Sequence, residues 1–206
     1  MPMTDAHRSA GRKGLLPRFG RDRRGVAAVE FAFIAPVLVL LYAGVAELCT
    51  VMMADRRASH ADSAIGDLAS QTDKLNDAQV ADIFSAATTI LSPFDTAPLQ
   101  LRLTSVTISA GNVPKVEWSA VKSSSQGDLL KLNCNEAAPN FPPELTATAG
   151  DNVLMAEAVY NYTLPMSFGH TGELKFKPRY FMRPRTAAKV ARYENASATP
   201  VACPIS

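Results

Sequence analysis

The sequence predicts an α+β fold: a long N-terminal transmembrane helix that continues into a head with a short second helix and an antiparallel sheet of about four strands. Three observations predict it. An apolar run of membrane length follows a basic leader, two stripes of helical period come next, and from Leu99 onward the hydrophobic period drops to two. A chain of 206 residues, 47% hydrophobic and 19% charged, has a globular balance with room for one ordinary domain plus an appendage.

The leader, residues 1–25, carries Arg8, Arg12, Lys13, Arg18, Arg21, Arg23 and Arg24 against Asp5 and Asp22, so the remainder holds a net charge of about −3. A nucleic-acid arm would interleave aromatics with these cations, but Phe19 is the only one, and the leader abuts the apolar run directly. A membrane anchor accounts for both facts. From Phe31 to Ala46 no charge occurs, and with Val26–Val29 before and Leu48–Met53 after, the segment 26–53 exceeds the roughly 20 residues that cross a bilayer core. By the positive-inside rule the leader stays cytoplasmic and the chain after about Met53 lies across the membrane; Arg56 and Arg57, beside Asp55, do not outweigh seven cations. Pro36 within the run predicts a bend.

Past the span, Val51, Ala54, Ala58, Ala61, Ile65 and Leu68 recur at steps of three and four, which continues the helix over residues 54–69 with a small-residue face for packing under the head or against a partner helix. The head spans residues 70–206. "SQTDKLN" reads as a break, Asn76 and Gln79 as a capping pair, and Val80, Ile83, Phe84, Ala87, Ile90 and Leu91 as the buried face of a second helix that Ser92-Pro93 stops. Leu99, Leu101 and Leu103 then alternate, the phase slips near Ser105, and Val106 and Ile108 resume, which predicts a bulged strand. "AGNV" turns it into "KVEWSAV", with Val116 and Trp118 placed on one face. Residues 122–150 read as a long loop. Strands return at "NVLMAEAVYNYTL", whose Leu154, Ala156, Ala158, Tyr160 and Tyr162 share a face, and at "ELKFKPRYFMRPR", where Pro178 marks an edge or the end of pairing.

Two acids lie along the anchor. Glu47 falls about 31 Å from Val26, near the outer boundary, whereas Glu30 falls only about 6 Å in. Unpaired in lipid, Glu30 costs on the order of 2 to 3 kcal/mol or more. Snorkelling, or pairing with Arg23 or Arg24, is one account of it. A secretory signal is another, with an apolar core at Phe31–Tyr42 and Gly44 and Ala46 at a cut, but a charge at the start of that core counts against it. "RRGVA" also lacks the context of a twin-arginine signal.

Basic residues, then Gly25, then Glu30 as the fifth residue after it, then an aromatic and a long apolar helix resemble the processing site of type IV prepilins. In detail "RDRRGVAAVEFAFIAPVLVLLYAGVAEL" is similar to the TadE-like proteins, minor pilins or pseudopilins of the tight-adherence (Flp) pilus, over about residues 20–70. Phe31 stands where major Flp pilins carry tyrosine. The resemblance implies a cut between Gly25 and Val26 by a membrane prepilin peptidase, and subunit pairing through Glu30, with Phe31 beside it. It further implies a pilin-like head in the periplasm of a bacterium and, as partners, the inner membrane, other major or minor pilins and the pilus assembly platform. A buried acid would then meet its cation, the new Val26 amine of a neighbour, only on assembly.

Cysteines bear on the topology. With the head in an oxidising periplasm, Cys134 in the long loop and Cys203 near the last residue are placed to pair, closing a loop of about 70 residues for roughly 4 kcal/mol in the chain-entropy model. Cys49 reads as a small packing residue on the helix. Three scattered cysteines with His7, His60 and His170 make no metal set, and no nucleotide, zinc-protease or nucleophile-elbow motif occurs. His170 in "SFGHTG", near Ser167, reads as a solvated turn residue. The expectation is a non-enzyme with no cofactor, nucleic acid or small-molecule substrate. Two other readings remain: an uncut single-span anchor for a periplasmic binding domain, and a secreted soluble domain.

Overall fold

The computed structural model describes residues 24–122, 127–146, 148–164, 172–193 and 200. In chain order it contains helix α1 (Arg24–Ser70), strand β1 (Lys74–Asn76), helix α2 (Asp77–Ile90), strands β2 (Leu99–Ile108) and β3 (Pro114–Lys122), a 3-10 turn at Pro143–Thr146, and strands β4 (Asn152–Thr163), β5 (Glu173–Phe176), β6 (Arg179–Met182) and β7 (Ala191–Tyr193). The chain divides into two compact units between Ala46 and Glu47. The first holds the N-terminal part of α1; the second holds the α+β head.

β2 lies between β3 and β4, antiparallel to both, and β4 pairs in turn with β5 and β6. β5 and β6 keep one register against β4, from Thr163↔Glu173 to Leu154↔Met182, and part only at Lys177-Pro178, where proline has no N–H to give. Taken as one interrupted edge strand they complete the four strands that the pattern predicts. Pro178 blunts that edge against further pairing.

Helices cover one face of the sheet. Ala54, Ala58, Ala61, Ile65 and Ala69 of α1 join Val80, Ile83, Phe84 and Ala87 of α2 over Leu99, Leu101, Leu103, Leu154, Ala156, Ala158, Tyr160 and Tyr162. Leu68, predicted for this stripe, is instead 39% exposed, because the stripe drifts around the helix to Ala69. The capping box forms as its residue types require: Asn76 Oδ1 accepts from the Gln79 N–H at 2.8 Å, and Gln79 Oε1 from the Asn76 N–H at 2.9 Å. Arg57 holds the far end of α2, donating to the Ile90 carbonyl at 3.1 Å and also to that of Ser92.

The irregularity foreseen near Ser105 exists, but its extra residue is Glu117 of β3, since Ser105 opposes Trp118 and Val106 opposes Val116. This corrects the placement of Val116 and Trp118 on one face. Trp118 joins the helix-side core, while Val116 joins Val106, Ala138 and Met155 in a second cluster. The shift of hydrophobic phase in β2 therefore marks a change of core. Over the second cluster runs the predicted loop, tied to β3 by Asn135 N–H to Val116 O, Val116 N–H to Glu136 O and Ala138 N–H to Pro114 O, each at 2.9 Å. Phe141 meets Phe181 edge-on at 5.3 Å between centroids. Where the break and the tail gave no strand signal, β1 and β7 pair in parallel, and the Trp118 indole donates to Val190 O at 2.8 Å.

Beneath the loop, Glu157 sits between two guanidinium groups. Arg102 Nε donates to it at 2.6 Å and Arg179 Nη2 approaches at 2.6 Å, while Arg102 also donates to Leu130 O at 2.8 Å. The Arg102 and Glu157 side chains are only 7% and 4% exposed, so removing one partner leaves a buried charge uncompensated. Glu157→Ala is expected to destabilise the head by about 3 to 5 kcal/mol in chemical denaturation, whereas Lys175→Ala, at an exposed pair with Asp128, costs under about 1 kcal/mol.

Candidate processing and assembly site

The residues singled out for processing and pairing all fall in the first turns of α1. Helix α1 is described from Arg24, and the Gly25–Val26 bond lies within its first described turn. No acidic side chain occupies this first turn to offset the helix dipole. A Cβ built on Gly25 meets nothing within 4 Å, so the peptide bond is open to approach from the side-chain direction. Glycine also lowers the cost of unwinding the turn, by about 1 kcal/mol relative to alanine. Val26 and Glu30 are four residues apart on one helical face, and Glu30, Phe31 and Phe33 are exposed, the last two by 67% and 77%.

Exposure of large apolar side chains continues through Val37, Leu38, Leu40, Tyr42 and Leu48 to Met53. Together with its length, this makes α1 the one helix among the described residues that is long and apolar enough to cross a membrane. Pro36 lies inside it, and the helix runs through. Cys49 is exposed and unpaired, which corrects its reading as a buried packing residue. Cys134 lies on the loop facing β3, its Sγ 3.4 Å from Glu117 O. Cys203, His170, Ser167 and leader residues 1–23 lie outside the described residues.

One polar residue of α1 escaped the sequence reading. Asp62 is 1% exposed on the face that α1 turns to the sheet, and its Oδ1 has no hydrogen-bond partner. The signal was its position, four residues after Ala58 on the same stripe. Burial, reinforced by the negative charge of Glu157 and opposed by the Arg179 guanidinium, pushes its carboxyl up to about 8. The folded protein therefore binds this proton at neutral pH and the unfolded chain does not, so stability falls as pH rises from about 4 to about 8 and then levels. In Asp62→Asn that fall is expected to shrink, with the variant matching the parent near pH 5 and exceeding it near pH 8 in urea unfolding of the detergent-solubilised chain. Parallel pH profiles for the two proteins would contradict this account.

Against known families, residues 25–62 match the family model described as TadE-like protein. No curated protein and no solved structure matches the chain. The matched segment starts at the proposed cut and takes in Glu30, Phe31, the exposed apolar face and the first turns of the buried alanine stripe. With its apolar helix it points to a single-pass membrane protein, and the segment that holds Gly25, Val26, Glu30 and Phe31 is TadE-like, which supports a part for this chain in the tight-adherence pilus system.

Proposed function

We propose that this chain is a minor pilin or pseudopilin of a tight-adherence pilus. It is made as a precursor, cut between Gly25 and Val26 by a prepilin peptidase, and anchored in the bacterial inner membrane with residues 1–25 cytoplasmic before the cut and the head periplasmic. There it packs with other pilins to start or regulate growth of the fibre on the assembly platform. The role is non-catalytic and needs no cofactor; a separate ATPase supplies the energy.

The observation that carries this reading is Glu30, an exposed acid one helical turn from the proposed new N-terminus, within an apolar helix that leaves its large side chains uncovered. In lipid an apolar helix gains little from meeting another apolar helix, so interhelical polar contacts carry more of the choice of partner. A Val26 ammonium and a Glu30 carboxylate from adjacent subunits supply such a contact. The leader must be removed first, since an uncut chain has an amide at Val26 and no cation to offer there.

Mass spectrometry of the chain purified from its membrane is expected to find a first residue of Val26; an intact leader would leave the plain single-span anchor, and a start near Glu47 the secreted domain. Glu30→Ala should reduce co-purification with other pilins and incorporation into fibres, while head stability stays within about 0.5 kcal/mol because the site lies outside the folded core. Full incorporation of that variant would remove the role assigned to Glu30.

A further inference from the structure

The two edges of the large sheet are finished differently. Pro178 interrupts the β5–β6 side, whereas on the β3 side the loop bonds to the backbone at Pro114 and Val116. Ile108 directs its N–H and C=O toward β4, bonding Asp151 O at 2.9 Å and the Gly150 N–H at 2.8 Å. Alternation then turns Leu101, Leu103 and Ser105 toward β3, where they oppose Lys122, Ala120 and Trp118. Ser119 and Val121 are left directing their N–H and C=O groups away from the sheet, and among the described residues no backbone group beyond the edge bonds to either.

Two cavities lie along this open stretch. One of about 280 Å³ separates Trp118 and Ser119 from Lys131 and Leu132; the other, of about 290 Å³, lies between Val80, Ala81 and Phe84 of α2 and the strand at Ser119 and Val121. Ser119, Lys131 and Arg192 line both, so the two adjoin. α2 supplies an apolar side, and Lys131 and Arg192 a cationic one. Asp77 meets Arg192, yet Arg192 keeps Nη1 buried without an acceptor, and neither Lys131 nor Lys122, exposed at the end of β3, has a counter-ion among the described residues. Pairing this edge with that of a second copy would set these cations against their own kind, whereas an acidic strand would answer them.

We propose that the outer edge of β3 at Ser119–Lys122 is a docking site for an extended acidic segment of another protein. The segment adds to the sheet through the outward N–H and C=O groups of Ser119 and Val121, with an apolar side chain against α2 and a carboxylate at Lys131 and Arg192. Main-chain pairing supplies the attachment, and charge selects the partner. The site does not depend on the cut at Gly25, and its failure would leave the pilin reading untouched.

The probe is a short blocked threonine–valine peptide with one central glutamate, titrated into the full chain in detergent and followed by the emission of Trp118, the single tryptophan, which lines the first cavity. Saturable binding is expected, weakened about tenfold or more when lysine replaces the glutamate and lost when the peptide amides are N-methylated. Val121→Pro removes an outward N–H and no bond to β2, so the fold should persist while binding is lost. Lys131→Glu should lose binding with the backbone untouched, and Lys175→Ala, at the opposite edge, should bind as the parent does. Amide exchange at Ser119 and Val121 is expected to be fast in the free chain and slow once the peptide is added. Absence of saturable binding, or undiminished binding by Val121→Pro and Lys131→Glu, would overturn the proposal. So would slow exchange at both amides before any peptide is added: in a monomer it would give the edge to the chain's own residues, and in a dimer alone to a second copy.

Discussion

Small side chains along one face of α1 set how near that helix comes to the sheet, and the rest of the head is arranged around that closeness. Ala54, Ala58, Ala61 and Ala69 are completely buried, and a Cβ added at Gly66 would stand 3.5 Å from the Ala156 Cβ and 3.6 Å from the Tyr180 ring. β4 answers in kind with Ala156 and Ala158. Small against small brings backbones together but buries little apolar area, at about 25 cal/mol per Å². The larger share of burial therefore falls to α2, the leucines of β2, Leu154 and the tyrosines at the end of β4. A bulky residue in the alanine stripe would force the helix off all of these at once.

Three carboxylates among the described residues, Glu157, Asp62 and Glu30, stand in costly or unusual settings, and each has a different answer to the same penalty. Glu157 is buried between two arginines, which answer it inside the head. Asp62 is buried with an unpartnered oxygen and gives up its charge, holding a proton to about pH 8. Glu30 is exposed, on a helix suited to lipid, and nothing within its own compact unit answers it among the described residues. Two of the three are solved by the fold. The third is left for whatever meets the helix, which is the physical content of assigning Glu30 to assembly.

Legibility followed the range of the interactions. The α2 cap, its buried stripe and the shared face of Leu154 through Tyr162 depend on neighbours a few residues apart, and each lay in plain periodicity. Pro178 was equally open, because a missing N–H matters at an edge whatever surrounds it. The faces of Val116 and Trp118 were not: only the opposing strand shows that Glu117 is the extra residue. Nor was the β1–β7 pair, where three-residue strands more than a hundred positions apart carry no pattern of their own. Asp62 sat on the stripe in sequence, but a lone acid there reads as the solvated edge of a helix until its burial is known. For the processing segment the gain came from Gly25 and Glu30 together with the basic leader, since any one of these alone is common.

Electrostatics at the start of α1 bears on why the proposed cut and an acid would belong together. Helix side chains lean toward the N-terminus, so the Glu30 carboxylate is directed back toward Val26, one turn away. An ammonium created at Val26 would face the positive end of the helix dipole, a penalty of about 0.3 to 1 kcal/mol where exposed and more where water is excluded. One subunit can relieve this with its own Glu30 at the i, i+4 spacing, but such a pair leaves carboxylate lone pairs and ammonium protons unsatisfied in lipid. Adjacent helices offset along the membrane normal can share their charges, each carboxylate accepting from two amines and each amine donating to two acids. Because apolar faces slide past one another at little cost, in the proposed assembly that offset would be set by the charged turn, and the exposed aromatics at Phe31 and Phe33 would pack where the charges place them.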